Sequence, residues 1–589
     1  MKTHYTIERN IQIVLAYLKA YGIRNIIASP GTTNITFVAS VQQDPFFNVI
    51  SAPDERSAAY MACGMAAESS EPVVLSCTGA TASRNYIPGL TEAYYRRLPV
   101  LALTATVNTA RVANQVPQVI DRSIIQNDIA RISVHLPFIR EEEDEYNVTV
   151  KTARAFISLT EPGGGPVHIN IETRYSKDFS VEELPASRII RQVRKGSILP
   201  PIPKGKVGLF IGEHRSFSDE EQAMIDKFCL ENDAIALCDQ TSNFRGKARI
   251  LSGLICYQNA FNESKSFDIL IHIGGISGDY YTSGICFGAK EVWRVDERGD
   301  VIDSFRKLTH VFKMDELSFF KGYITDRHVG QTPNIDNWRA IDCNLRKQLA
   351  VDLPFSNIWI ASQLSRRLPE GCALHLGILN SLRSWNFFET PETVTCYSNV
   401  GGFGIDGGLS TLIGASINTP KKLYFGIFGD LAFFYDLNSL GNRHIGNNIR
   451  LLLINNGRGA EFRMYNHPAS QFGNDADPYI AAAGHYGAQS TCLIKHYSED
   501  LGYTYLSAND KESFTGSLES FLSTDISGPI VFEVFIDYHH DDEALSLLGS
   551  LAPHEIDSNN GISEVIKSAT KKVLGERAIK AAKVLLGKE

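Results

Sequence analysis

The chain of 589 residues is about four times the roughly 150 residues of a typical domain, so three or four domains are expected. Hydrophobic residues at 43% and charged residues at 21% exclude a disordered or collagen-like chain, and a net charge of −9 argues against a protein built mainly to bind nucleic acid. Its 10 cysteines are scattered without a CxxC pair, which offers neither a zinc site nor a disulfide framework. The opening MKTHYTIERN has no basic segment followed by an apolar core, and no apolar run reaches the ~18 residues of a membrane span. The expectation is a reduced, cytoplasmic protein. Short runs rich in Val, Ile and Leu recur along the chain: 25–29 (NIIAS), 72–77, 99–104, 167–171, 207–211, 234–238, 269–273, 291–295, 373–376, 423–428, 449–454 and 530–536. Such continuous runs read as strands buried on both faces, that is, parallel sheets. Helical spacing between them, as in 8–21, 55–68 and 357–368, gives an α/β fold of doubly wound parallel-sheet domains with ligands at the carboxyl ends of the strands.

Two composition breaks, 182–206 (rich in Pro, Arg and Lys) and 331–354 (polar), read as linkers. They divide the chain into blocks 1–180, 190–335 and 355–550, followed by a tail, 551–589. Apolar residues at helical spacing among Lys and Glu make the tail a terminal helix packed on the body, with a membrane-surface or partner helix as the alternative. No sequence repeat is visible, although the first and third blocks could share a fold.

The strongest local signal is 426–461, where one buried strand ends in Gly429-Asp430 and a second in Asn455-Asn456. Neighbouring parallel strands would set Asp430 and Asn456 side by side. A carboxylate, an amide oxygen and a carbonyl from the following turn form an all-oxygen set that suits Mg²⁺, which completes its octahedron with phosphates and water. Local chemistry fits equally well a strand-end Asp capping a helix, with Asn-Asn-Gly as a plain turn. A second signal is Asp54-Glu55-Arg56 ahead of SAAYMACGMAA, a helix start with small residues on one face. On its own, Glu55 is a favourable partner of the helix dipole. A third is SNVGGFGIDGGLS (398–410), too irregular for a dinucleotide fingerprint and by itself a flexible loop.

Taken together, these motifs resemble those of thiamine-diphosphate-dependent enzymes. GDL followed by YDLNSL looks like the branch of the menaquinone-pathway synthase (MenD). SPGTTN, TGATA, VANQ, VHIN, GIDGGLST and GDLAFFYDLNSL stand in family order over most of the chain. The resemblance implies a pyrimidine-binding domain (1–180), a central domain (190–335) and a diphosphate-binding domain (355–550). It also implies thiamine diphosphate and Mg²⁺ as cofactors. Asp430, Asn456 and the Arg458 carbonyl would be metal ligands. Glu55 would be the catalytic acid on the pyrimidine ring, and burial would raise its pKa. Thr78, Gly79, Asn380, Ser381, Gly404, Ile405, Gly429, Asp430, Leu431 and Asn456 would contact the cofactor, Ile405 as an apolar prop. The family's site lies between subunits, so a homodimer or homotetramer is implied.

The departures concern substrate. Menaquinone-pathway synthases usually carry SPGSRN, and here Thr33 stands at the Arg position; a second family Arg is replaced by Val400. Neither Thr nor Val reproduces the bidentate fork of Arg on a carboxylate. Thr32, Thr33, Asn114, Gln115, Arg383, Val400, Phe403, Glu461 and Arg463 are the expected substrate-side residues. The reading is a 2-oxo acid decarboxylase that passes the acyl carbanion to an acceptor, MenD-like with a different substrate. The alternatives are a simple decarboxylase releasing an aldehyde and, from another class, a noncatalytic cofactor-binding scaffold.

Overall fold

The computed structural model describes residues 4–258, 267–325, 330–349 and 352–552. Two compact units emerge. The first takes the described residues up to Leu251, those between Ser266 and Arg339, and Thr395–Phe403; the second takes those of Ser252–Lys265, Ala340–Val394 and from Gly404 onward.

The first unit holds two parallel sheets. One runs Asn48–Ser51, Asn25–Ala28, Val73–Cys77, Val100–Thr106, Val167–Glu172, Ser133–Leu136 in spatial order. Val73–Cys77, Val100–Thr106 and Val167–Glu172 are buried at every position, as strands covered by helices on both faces must be. Helix Glu55–Ser69 packs on this sheet through Ala58, Ala59, Ala62, Cys63 and Ala66, one face of a 3.6-residue period. Small residues there permit close approach. A Cβ on Gly89 of the neighbouring helix Ile87–Tyr95 would stand 2.4 Å from the Ala59 Cβ, and the Cys63 thiol donates to the Gly89 carbonyl (3.2 Å). That contact seats the helix that Glu55 opens against its neighbour.

The other sheet runs Arg249–Leu251, Ala234–Cys238, Val207–Ile211, Ile269–Ile273, Glu291–Val295, Leu308–Lys313, Arg191–Arg194, again all parallel. The chain order reverses between Val207–Ile211 and Ile269–Ile273, the place where doubly wound sheets take dinucleotides. There the two strand-end turns press together. A Cβ on Gly212 would stand 2.0 Å from the Gly275 carbonyl oxygen. Large apolar side chains such as Phe228, Trp293, Phe312 and Phe319 fill one face. Each contributes about 1.5–3 kcal/mol by leaving water.

In the second unit the sheet contains Ala373–Leu376, Tyr424–Gly429, Ile449–Asn455, Ile530–Phe535 and Thr504–Ala508 as parallel neighbours in that order. The first sheet lists its corresponding strands in the same sequence order, so the first and last sheets share a topology.

Both expected linkers carry regular structure. Within 182–206, Arg191–Arg194 forms an edge strand with Val193 buried, its charged residues suited to an unpaired edge. Within 331–354 lies helix Pro333–Gln348, whose Ile335, Trp338 and Leu345 are buried at helical spacing while the rest is polar. The expected tail, from residue 553 on, lies outside the described residues. Among the described residues no helix is long and apolar enough to cross a membrane.

Candidate functional site

At the strand ends of the first sheet, Thr33, Thr78 and Gly79 come together. Thr33 is buried; its amide donates to the Thr78 hydroxyl (3.3 Å), the two hydroxyls are in direct contact, and the Thr33 hydroxyl also donates to the Ala105 carbonyl (3.4 Å). Thr32 lies beside this group at the surface. Asp54 caps the helix that Glu55 opens, accepting the Ser57 amide at 2.7 Å. Glu55 itself accepts a hydrogen bond from the Asn85 amide (3.1 Å) and is half-buried. The expectation of a buried Glu55 is therefore corrected for the single chain, because a helix start at a strand edge keeps an open side.

Asn114 and Gln115 lie farther out. Both are exposed, Gln115 has φ +56°, and the Asn114 side chain donates to Ala110 and Val112 nearby (3.0 and 3.1 Å). This segment is anchored at its start by Glu172, which accepts the amide and hydroxyl of Thr109 (both 3.1 Å). Burial pushes the Glu172 carboxyl up, but the His135 side chain and the N–H groups of Thr109 and Phe138 outweigh it and hold the carboxyl down at about 2. Val400 is buried, and Phe403, at φ +55°, packs its ring on Tyr280 at 5.7 Å.

In the second unit the strand register sets Gly429 against Ile454, which brings Asp430 level with the Asn455-Asn456 turn. Asp430 is only 5% exposed. Its Oδ1 accepts the Leu431 amide at 2.9 Å. Burial drives its pKa up to about 7 against the N–H groups of Leu431, Gly457 and Arg458, which favour the anion. No cationic side chain pairs with it among the described residues. A buried carboxylate of this kind, facing backbone donors but no cation, fits a metal ligand, and Asn456 completes the oxygen set expected for Mg²⁺. Asn456 Oδ1 also accepts the Arg458 amide (3.4 Å), and Gly457 turns the chain at φ +72°.

The turn is held from below by residues the sequence reading missed. Asn455 donates to Glu533 Oε1 (2.7 Å) and accepts the Gly457 amide (3.2 Å), while Tyr505 donates to Glu533 Oε2 (2.9 Å). The available signal was Glu533 itself, a charge in the middle of the buried run IVFEVF. Asp541, fully enclosed beside Asn456, accepts the Asn357 amide (2.7 Å); burial raises its pKa to about 7. Asp436 accepts both the amide and the hydroxyl of Ser410 (2.6 Å each), tying the loop of Gly404 and Ile405 to the segment that begins at Asp430-Leu431. Ile405 is half-buried, Gly404 exposed.

The remaining charges are paired, not solvated. Arg383 makes a two-pronged contact with Glu461 (3.0 and 2.8 Å) and donates to Asn380 Oδ1 (3.0 Å), with Ser381 buried alongside. Arg458 and Arg463 share Asp477 (2.8 and 2.6 Å), and the Arg458 guanidinium stacks 4.0 Å over the Tyr538 ring.

Residues 10–126 match the thiamine pyrophosphate enzyme N-terminal TPP binding domain. Among curated relatives, the 2-succinyl-5-enolpyruvyl-6-hydroxy-3-cyclohexene-1-carboxylate synthase of Bacteroides fragilis is 28% identical over 558 residues, 91% of this chain and 98% of that protein. The synthase of the same name from Phocaeicola vulgatus is 29% identical, covering 91% and 97%, and that of Desulfotalea psychrophila 28%, covering 90% and 98%. The chain thus resembles MenD and, over its first block, thiamine-diphosphate enzymes. Its three parallel sheets accord with that plan, and the likeness covers about nine-tenths of the chain.

Proposed function

We propose that this MenD-like chain binds thiamine diphosphate through Mg²⁺, decarboxylates a 2-oxo acid and passes the resulting acyl carbanion to an acceptor. The reading takes 1–180 as the pyrimidine-binding domain, 190–335 as the central domain and 355–550 as the diphosphate-binding domain. The observation that carries it is Asp430: a strand-end carboxylate beside the Asn455-Asn456 turn, raised in pKa by burial and paired with no cationic side chain among the described residues. Thiamine diphosphate, when bound, supplies the electron sink for cleaving a C–C bond next to a carbonyl. The chain's part is to hold its two ends. Asp430, Asn456 and the Arg458 carbonyl hold the metal, with Gly429, Leu431, Asn380 and Ser381 along the diphosphate. Ile405 supports the ring system, with Gly404 letting the backbone come close. Glu55 presents a proton to the pyrimidine nitrogen, and Thr78 and Gly79 line that end. Its remaining open side closes when a second subunit covers it.

The subunit arrangement has its own support. Helix Glu55–Ser69 turns Ser57, Tyr60, Met61 and Gly64 outward at helical spacing, and Tyr60 and Met61 are 49% and 42% exposed. An apolar stripe on a catalytic helix suits a homodimer or homotetramer with the site shared between subunits. A different donor–acceptor pair from that of the synthases is proposed because Thr33 is tied into hydroxyl contacts and Val400 is buried, so neither position presents a guanidinium. The cytoplasm is the proposed compartment. The test is calorimetric titration with thiamine diphosphate in the presence and absence of Mg²⁺, then CO₂ release from a panel of 2-oxo acids with and without carbonyl acceptors. Metal-dependent binding with acceptor-dependent product is expected. Failure to bind the cofactor refutes the reading, and release of an aldehyde alone reduces it to a decarboxylase.

A further inference from the structure

Residues 111–128 run mostly across the surface, yet the Arg122 side chain turns inward and is only 6% exposed. Its Nη2 donates to the Ala105 carbonyl (3.1 Å), while Nε and Nη1 are buried without a partner. Among the described residues no carboxylate pairs with it. The ionisable groups around it are the Cys77 thiol, another cation, Arg84, and the buried His168, whose charged form Arg122 disfavours. Burial draws its pKa down to about 10, so it stays charged at neutral pH. A protein rarely buries a guanidinium with neither counter-ion nor full hydrogen bonding unless something else supplies both.

Its position says what that something faces. The Ala105 carbonyl that Arg122 binds is the one that accepts the Thr33 hydroxyl (3.4 Å). Arg122 Nη1 stands 3.9 Å from where a Cβ on Gly79 would be. Arg122 therefore joins Thr33, Thr78 and Gly79 at the carboxyl ends of Val73–Cys77 and Val100–Thr106, where parallel sheets take ligands. The cover is slight: the Gln118 carbonyl lies 3.2 Å from the same Gly79 point, and Ala113, Gln115 and Gln118 all have positive φ.

We propose that Arg122 is the substrate-recognition residue of this site and holds a carboxylate that the substrate keeps through the reaction. A ligand reaches it by displacing the stretch around Gln118, not the sheet. The carboxylate is one that is kept, because a cation held on the departing carboxylate would stabilise the ground state and oppose loss of CO₂. A planar guanidinium suits a carboxylate better than any other side chain does. The proposal rests on the 2-oxo acid reading above, and leaves open only whether donor or acceptor carries the group.

The experiment measures binding apart from turnover. Glutarate and butyrate, unreactive and differing by one carboxylate, are titrated calorimetrically into the full-length protein with thiamine diphosphate and Mg²⁺ present. Wild type should prefer glutarate by at least ~10-fold, Arg122→Met should abolish the preference, and Arg122→Lys, which keeps the charge but not the fork, should retain part of it. In turnover, the KM of whichever substrate bears the retained carboxylate should rise ~30-fold or more in Arg122→Met with kcat changed less than ~3-fold, and which KM moves identifies the source. No glutarate preference in wild type, or one unchanged in Arg122→Met, overturns the proposal; should Arg122→Met fail to fold, an unchanged preference in Arg122→Lys does so. Failure of cofactor binding with glutarate preference intact refutes only the earlier reading.

Discussion

Replacing Arg383 by Met tests whether the charged pair next to the diphosphate-side loop is a buried unit. Arg383 is 7% and Glu461 15% exposed at the side chain, and the guanidinium donates twice to Glu461 and once to Asn380. Removing the guanidinium leaves the Glu461 carboxylate largely out of water with no cation, a loss of about 3–5 kcal/mol. For a unit of this size, at about 2–4 °C per kcal/mol, the melting transition should fall by roughly 6–20 °C. Arg383→Met/Glu461→Met removes both charges and should cost at most ~1 kcal/mol more than wild type, because a buried pair can be replaced by apolar groups almost neutrally. Thermal and urea unfolding followed by circular dichroism on wild type, both single variants and the double variant give the coupling energy. A coupling above ~2 kcal/mol is expected, and a coupling under ~0.5 kcal/mol would refute a buried pair.

The folded-state pKa of Asp430 lies near 7, above its unfolded value, and Asp541 behaves likewise. Between about pH 4 and 7 the folded protein holds protons that the unfolded chain has lost, so without metal its stability falls as pH rises through that window, by up to about 4 kcal/mol per group. Mg²⁺ binding needs the ionised Asp430, so its affinity should drop ~10-fold per pH unit below 7, and Asp430→Asn should lose Mg²⁺-dependent cofactor binding while flattening the stability profile. Metal-dependent calorimetry at several pH values decides this. Glu55→Gln should still fold and bind thiamine diphosphate but lose ~10²–10⁴-fold in CO₂ release, measured by stopped assay. Gly64→Trp, at an exposed position where an added Cβ meets nothing within 4 Å outside its own helix, should leave the monomer's stability within ~1 kcal/mol of wild type. It should nevertheless break the oligomer in light scattering; an intact oligomer counts against the proposed interface.

What could be read from the sequence was what local chemistry determines. Continuous apolar runs gave the inner strands because burial on both faces leaves no room for alternation. The short edge strands Asn48–Ser51, Ser133–Leu136, Arg191–Arg194 and Thr504–Ala508 escaped, since half-exposed pieces of four or five residues carry little periodicity. Asp430 and the Asn-Asn turn stood out because glycine and polar residues abruptly end apolar runs. Charge pairing did not. Arg383 and Glu461 lie 78 residues apart, and Arg458 and Arg463 meet Asp477 only after the loop folds back, so Arg383, Glu461 and Arg463 read as substrate-side groups and not as one another's partners. Arg122 gave no signal, because a surface-like DRS segment does not announce that its arginine points inward.

The shared topology of the first and last sheets gives these findings a common sense. The turn after Val73–Cys77 and the turn after Tyr424–Gly429 occupy equivalent places in the two sheets, and each collects one buried charge that its own unit does not neutralise. In the first it is the guanidinium of Arg122, among hydroxyls and a glycine; in the second it is the carboxylate of Asp430, among backbone N–H groups. One demands an anion and the other a cation. An unpaired buried charge weakens the free protein, so its retention at both strand ends is understandable only if a bound molecule supplies the partner and returns the stability on binding. On one shared topology, then, the sign of the orphan charge would distinguish the turn proposed to take a metal-bound diphosphate from the turn proposed to take an acidic substrate.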